Sequence, residues 1–469
     1  MSPDLKLIEG SVVAPIGYRA GGVFCNIKQI GTGKGSEKGQ KPDLALILSE
    51  VPAVAAGMFT TNHVKAAPVI VSLKHIKSKT VRAIIANSGN ANACTGQQGI
   101  RDAQKMCCLT AHAITQTAYS GNLKGIVKNL PIHPSQILVA STGRIGIPLP
   151  MDRVEEGIKK ITQALGTTPQ DAHLAAIAIM TSDTRPKEIA VEFKIRNYTV
   201  RIGGICKGAG MIHPQMSPKG QRPPSMPANL CHATMLCFLT TDVSISTVAL
   251  QRCLTEAVAD SFNKITVDGD TSTNDTVAIL ANGLAGNPTI TLADFKGQSG
   301  LKHQLAKAFF EALCYVCKEL ASMIVHDGEG VHRIVLIKVT GAASRKQADA
   351  VARTVANSPL VKTSWHGGDP NWGRIMAAIG YSPVKIDPTK IDIGYSHIDS
   401  THILWCVKKG APTTVPFKQL CKAVQPNEFV IHIDLNSGKY SSHMYAADLT
   451  EAYVEFNKGD VSNPESLGG

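Results

Sequence analysis

KGAGMIHPQM at 207–216 and ATMLCFLTTD at 233–242 are the two pieces of sequence on which the fold turns. The second opens with Ala233-Thr234 and runs straight into an apolar segment. A small residue followed by Thr, behind a Gly-rich segment carrying Lys207, suits a chain that cuts itself. Cleavage between the two would free the α-amino group of Thr234 beside its own hydroxyl, and an N-terminal amine can serve that hydroxyl as base. Such an amine has an ordinary pKa of ~7.7–8.0, and a cation as near as Lys207 would lower it by charge repulsion. Taken by itself the stretch also reads as a loop entering a buried strand, the commoner meaning of an Ala-Thr pair.

Outward from this stretch, strands and helices are expected through both halves. Residues 189–203 alternate as Ile189, Val191, Phe193, Ile195 and then Tyr198, Val200, Ile202 around Arg196-Asn197. That is the pattern of a hairpin, and it delivers the chain to Lys207. Residues 43–60 are two apolar runs split by Pro52, read as paired strands. A run at 81–87 leads into NSGNANACTG (87–96), a tight loop in which Asn and Gly tolerate positive φ. Residues 101–118 are helical, STGRIGIPLP (141–150) is a loop, and Val154, Ile158, Ile161 and Leu165 line one helix face. The longest helix is expected over 301–325, with Leu305, Phe309, Leu313, Val316, Leu320 and Ile324 three or four residues apart. A strand at 333–340, a helix at 345–357, a helix opening at 372, and strands at 402–408 and 429–435 complete the pattern. The Gly-x4-Gly-Lys-Ser/Thr order of a phosphate loop is absent. The fold class is α/β, sheet against sheet with helices outside.

The chain has 469 residues, 43% hydrophobic, which is ample material for a core. Its net charge of +12 is spread without runs or aromatic interleaving, so it reads as a solvated basic surface or an attraction for small anions rather than a nucleic-acid face. Twelve cysteines in a chain of this length do not make a disulfide scaffold. Cys314-x-x-Cys317 has metal or redox spacing but sits in the long helical pattern without a second pair, and reads as core. The compartment expected is reducing. MSPDLKLIEG lacks an apolar signal region and carries Asp4 and Glu9, and no apolar run reaches the ~18 residues of a membrane helix. The expected location is the cytoplasm, with the mitochondrial matrix open for a eukaryotic source.

Several blocks carry a specific resemblance. KGAGMI, PQM and ATML-F-TTD, with NSGNANACTG, STGRIG (141–146), SFNKITVDGDTSTNDT (261–276), DGEG (327–330) and DPNWGRI (369–375), resemble in content and order the ornithine acetyltransferase / glutamate N-acetyltransferase family of arginine biosynthesis. The resemblance runs from about Gly10 to Ser462. It implies an N-terminal-nucleophile-like sandwich, self-cleaved between Ala233 and Thr234 into an α chain (1–233) and a β chain (234–469). It implies transfer of acetyl from N2-acetylornithine to glutamate through an ester on Thr234, with an oxyanion hole at Thr142 and Gly143. The implied substrate-binding residues are Thr181, Lys207, Thr234, Glu329, Asn457 and Ser462. No metal and no cofactor is implied, acetyl-CoA stays open as a second acetyl donor, and the chains are expected to assemble as α2β2 or larger.

Two departures stand out. Gln215 replaces the family's Asn, and SPKGQRPPSMPANLCH (217–232) intervenes before Ala233, an insert expected to be an exposed loop. Ser462 replaces the family's terminal Thr, with NPESLGG beyond it. Two other readings remain open from sequence: a self-cleaving amidohydrolase or aminopeptidase, with water as acceptor, and an uncleaved, inactive binding protein.

Overall fold

The computed structural model describes residues 4–28, 41–121, 123, 130–221 and 234–458. In chain order the first strands are β1 (Lys6–Leu7), β2 (Tyr18–Val23), β3 (Leu44–Thr60), β4 (Val81–Asn90), β5 (Ile137–Arg144), β6 (Lys187–Ile195), β7 (Tyr198–Lys207), β8 (Met216–Ser217) and β9 (Leu236–Thr241). With β11 (Thr276–Ala281) they make a ten-stranded sheet among the described residues, ordered β1-β6-β7-β9-β11-β3-β4-β5, with β2 and β8 also on β3. The helices of this part are α1 (Ala67–His75), α2 (Gly96–Tyr119), α3 (Met151–Gln163), α4 (Pro169–Ala178), α5 (Thr247–Ala259) and α6 (Leu301–His326).

The 43–60 segment is one strand of 17 residues, not a pair. Its first half pairs with β2 and β4, its second half with β11, and the register against β4 shifts between Leu48 and Ala53. Pro52 lies exposed at that shift, where a missing N–H costs the ladder nothing. Because side chains alternate along a strand, one strand can serve three layers. Leu44, Leu46 and Leu48 pack outward with α1, α2 and α3. Ala45, Ile47, Ala53 and Ala55 face an inner core shared with Phe238, Ala278 and Leu280. Ala56 and Met58 face outward on the other side, with α5 and α6. The sheet thus folds over on itself into four layers, helix, sheet, sheet, helix, the sandwich that the sequence implies.

A seven-stranded sheet follows among the described residues: β10 (Ile265–Thr266), β12 (Ile334–Ala342), β13 (Asp392–His397), β14 (Leu404–Lys408), β15 (Ala411–Pro412), β16 (Glu428–Asp434) and β17 (Tyr440–Ala447), in the order β10-β17-β12-β16-β13-β14-β15. Helices α7 (Arg345–Ala356), α8 (Pro359–His366), α9 (Trp372–Gly380) and α10 (Phe417–Ala423) bury a second core against it, and α11 (Glu451–Phe456) closes the described chain.

Other expectations meet the structure with few changes. The hairpin, the 26-residue α6 and α7 lie where periodicity puts them, and Asn371 caps α9 through the Arg374 N–H. Residues 141–144 of the expected STGRIGIPLP loop and 87–90 of the expected NSGNANACTG loop are strand instead, because β5 pairs in parallel with β4 through Thr142 and Gly143. Cys317 is buried on α6, and the cysteines among the described residues are free thiols. The insert begins in the fold rather than outside it: Ser217 is buried in β8 against Phe59, and its hydroxyl donates to the Gln221 carbonyl. Residues 222–232 of the insert, together with Ala233 and Ser462, lie outside the described residues. No helix among the described residues is long and apolar enough to cross a membrane.

Buried hydrogen bonds tie the two leaves of the sandwich together, that of Tyr18 among them. The buried Tyr18 hydroxyl, on β2, lies 2.8 Å from the Leu280 carbonyl and 3.1 Å from that of Thr241, on the opposite leaf. Tyr18→Phe removes the donor while keeping the ring, and should lower unfolding free energy in urea by ~1–3 kcal/mol, the cost of a buried polar group left unpaired.

Candidate active site

Strand pairing brings the two ends of the quoted stretch together. β7 runs antiparallel to β9 with Lys207 opposite Leu236, so the end of one strand meets the start of the other. Thr234 sits just before β9. The Met235 N–H donates to Asp275 Oδ1 at 2.6 Å, and the Met235 carbonyl accepts from the Thr276 N–H, fixing the backbone on both sides. The Thr234 hydroxyl lies 2.5 Å from that of Ser272, whose oxygen also accepts from the Asn274 N–H at 2.8 Å.

Lys207 is buried and reaches into this corner. Its Nζ lies 2.8 Å from Thr181 Oγ1, 3.3 Å from Thr142 Oγ1 and 3.4 Å from the Thr234 carbonyl oxygen. Thr142 arrives from β5 on the opposite leaf, Thr181 from just beyond α4, and Lys207 and Thr234 from β7 and β9, so the site lies where the two leaves meet. Gly143, next to Thr142, has φ +129°, and a Cβ there would sit 2.4 Å from the Gly89 carbonyl carbon. Glycine is required at that close approach.

An ionic cluster lies beneath. Lys187 pairs with Asp183 at 2.6 Å and with Asp327 at 2.5 Å, and Asp183 lies 4.0 Å from Lys207. The Gly208 N–H adds a hydrogen bond to Asp183 at 2.7 Å, and the Thr181 N–H another at 3.0 Å. Burial alone would raise the Asp183 pKa, but the charges of Lys207 and Lys187 and the Gly208 amide outweigh it and hold it at about 2. Burial pulls the Lys207 pKa down, with Asp183 opposing. Burial also pushes Asp275 well above the ordinary carboxyl range, against the Met235 N–H that it accepts. Both acids of the cluster are committed to lysines, which leaves neither free as a ligand at this centre.

Glu329 and Asn457 form the outer wall. Asn457 Nδ2 donates to Glu329 Oε2 at 3.0 Å, and the Glu329 N–H donates to the Ala209 carbonyl at 2.9 Å. A Cβ at Gly210 would lie 2.1 Å from the Glu329 carboxylate, so this glycine lets the carboxylate approach the Lys207 loop. Thr142, Gly143, Thr181, Lys207 and Thr234 are therefore brought into one corner, with Glu329 and Asn457 paired beside it. Reasoning from sequence missed Asp183, Lys187, Ser272, Asp275 and Asp327. Three of them stood inside quoted blocks, Ser272 and Asp275 in SFNKITVDGDTSTNDT and Asp327 in DGEG, while for Asp183 and Lys187 only their i, i+4 spacing was available.

Residues 22–459 match the model of the ArgJ family. The chain belongs to the ArgJ family. The Symbiobacterium thermophilum arginine biosynthesis bifunctional protein ArgJ is 42% identical over 453 residues, 97% of this chain and 99% of that one. The Methanocaldococcus jannaschii glutamate N-acetyltransferase is 40% identical over 459 residues, with the same coverage of 97% and 99%. Among solved structures, the Mycobacterium tuberculosis ornithine acetyltransferase complexed with ornithine is 34% identical over 45% of this chain and 100% of that one, with a TM-score of 0.38. The family resemblance carried by the sequence blocks is thus established, and with it the class of acyltransferases of arginine biosynthesis.

Asp183 supplies a test of the cluster. Asp183→Asn leaves two buried lysines short of a counter-charge and should destabilise the fold by ~3–5 kcal/mol in denaturant titration. Its depressed pKa also fixes a sign. The stability that ionised Asp183 contributes is fully present above its unfolded value of ~3.9 and is lost as pH falls through about 2. The variant's deficit should therefore shrink as the pH is lowered through that window.

Proposed function

We propose that this ArgJ-family enzyme transfers the acetyl group of N2-acetylornithine to glutamate, releasing ornithine and N-acetylglutamate. The single observation that supports it is the convergence of Lys207, Thr142 and Thr181 on Thr234 at the meeting of two strand ends. The chain first cuts itself between Ala233 and Thr234. Because β9 is flanked by β7 from before the cut and by β11 from after it, the α chain (1–233) and β chain (234–469) stay woven into one sheet, and the pair assembles further into α2β2 or larger.

In the first half-reaction the α-amine of Thr234 takes the hydroxyl proton as Oγ attacks the acetyl carbonyl carbon. The developing oxyanion is met by the Thr142 hydroxyl and the Gly143 N–H. Thr142 Oγ1 accepts from Lys207, which leaves its own proton free to donate to that anion. Collapse breaks the carbon–nitrogen bond, ornithine leaves with a proton, and acetyl remains as an ester on Thr234. The amine of glutamate then attacks the ester, loses a proton, and restores the Thr234 hydroxyl. Glu329, with Asn457 and Ser462, recognises the amino-acid ends, and buried cationic Lys207 polarises the site. The chemistry needs neither metal nor cofactor. Acetyl-CoA serves as an alternative donor to the same ester.

Two experiments test this. Mature protein should yield a new N-terminus beginning Thr-Met-Leu-Cys, and Thr234→Ala should give only the intact 49.8 kDa chain without transferase activity. An intact, fully active wild-type chain would refute the cleavage. Thr142→Val keeps the side-chain shape but removes an oxyanion donor, and should lower kcat ~10²–10³-fold with KM little changed. A change confined to KM would instead place Thr142 in ground-state binding.

A further inference from the structure

Away from Thr234, the described residues contain a cluster of three potential metal ligands drawn from three separate segments. His332 lies between Glu329 and β12, His366 ends α8, and Asp448 follows β17. Their ligand atoms all lie within 4.8 Å of one another. The two imidazole rings meet edge to face, with centroids 5.8 Å apart and planes at 81°.

Three observations distinguish this cluster from an ordinary surface ion pair. First, Asp448 is buried, at 3% exposure, yet its Oδ2 has no hydrogen-bond partner, and neither does the buried Nδ1 of His366. The two atoms face each other at 3.3 Å without the alignment of a hydrogen bond. A tetrahedral zinc site with bonds of about 2.0–2.1 Å has ligand–ligand edges of about 3.3–3.4 Å, so the pair already has the spacing of two ligands on one ion. Second, the outer atoms of both groups are occupied in the way that metal ligands are. His366 Nε2 lies 2.8 Å from the Glu451 carboxylate, which favours the tautomer with its proton on Nε2 and the lone pair on Nδ1. Asp448 Oδ1 accepts from the His332 N–H at 3.0 Å, which turns Oδ2 inward. Third, His332 is exposed and so can swing onto the ion. The buried Lys362 donates to the Ala447 carbonyl and acts on Asp448 through its charge alone.

We infer that His332, His366 and Asp448 form a structural site for a divalent transition metal of the zinc class, with a fourth position open to water. Two imidazoles and one carboxylate suit zinc better than the all-oxygen preference of calcium or magnesium. The site would act as a clasp. Asp448 leads into Thr450, which caps α11 and donates to the Gly330 carbonyl at 2.7 Å, and α11 ends beside Asn457, the partner of Glu329. A metal joining residues 332, 366 and 448 would hold this closing segment against the Glu329 loop. It takes no part in acetyl transfer.

Purified full-length protein, stripped by chelator, should be titrated with Zn2+ by calorimetry and with Co2+ by visible absorption. The expected results are one tight equivalent per chain, the intense visible bands of tetrahedral Co2+ without thiolate charge transfer, and a metal-dependent rise in Tm. His332→Ala, at an exposed position, and Asp448→Asn, of unchanged shape, should each abolish the tetrahedral spectrum and the Tm rise. Glu451→Gln should weaken binding about 10–100-fold, as loss of a carboxylate behind a histidine ligand does. Failure of the wild-type protein to take up a stoichiometric ion overturns the proposal. So does uptake that survives both ligand variants, or a spectrum showing thiolate ligation, which would assign the metal to the cysteines.

Discussion

The buried ion cluster of Lys187, Asp183, Asp327 and Lys207 is the constraint on which the corner at Thr234 rests. Two lysines and two aspartates balance in charge, and backbone N–H groups at Thr181, Thr184 and Gly208 take up carboxylate lone pairs. Burying charge is costly, and a pair recovers that cost only with near-complete hydrogen bonding. The cluster meets this condition, and in return each member has little freedom to move. Lys207 is the member that faces Thr234, and its Nζ lies 2.8 Å from Thr181 Oγ1 with Asp183 4.0 Å away. The short DGEG block divides its acids between two partners: Asp327 pairs with Lys187 in the cluster, and Glu329 accepts from Asn457.

The second constraint is geometric. A sheet folded over on itself brings strand ends from different leaves to one place, and that place is the candidate site. β5 supplies Thr142 and Gly143 from one leaf, while β7 and β9 supply Lys207 and Thr234 from the other. The continuous β3 makes this possible, since a single alternating strand carries leucines to one outer layer, alanines to the inner core, and Ala56 and Met58 to the other outer layer. Small residues dominate the inner face at Ala45, Ala53, Ala55, Ala86, Ala140 and Ala278, which lets the leaves approach closely. The low aromatic content of the chain serves the same end.

The closing segment joins the two parts of the molecule. Residues 448–457 leave the seven-stranded sheet and finish at Glu329, which accepts from Asn457 Nδ2 at 3.0 Å. Thr450, Asp448 and Asn457 each bind a residue of 329–332.

Much was written in the sequence itself. Period-2 alternation gave the β6–β7 hairpin, 3.6-residue periodicity gave α6, and the order of the sequence blocks gave the family and the candidate residues Thr142, Gly143, Thr181, Lys207, Thr234, Glu329 and Asn457. Local patterns of this kind are legible because they depend on neighbours a few residues away. The sequence could not tell that 43–60 is one strand crossing two leaves, since Pro52 looks the same as a break and as an exposed strand position. Nor could it tell that 141–144 is strand, because β5 owes its last residues to parallel pairing with β4, a partner some fifty positions distant. Asp183, Lys187, Ser272 and Asp275 were invisible as a group for the same reason: charge balance and hydrogen-bond partnership at a buried point are properties of segments that only the folded chain brings together.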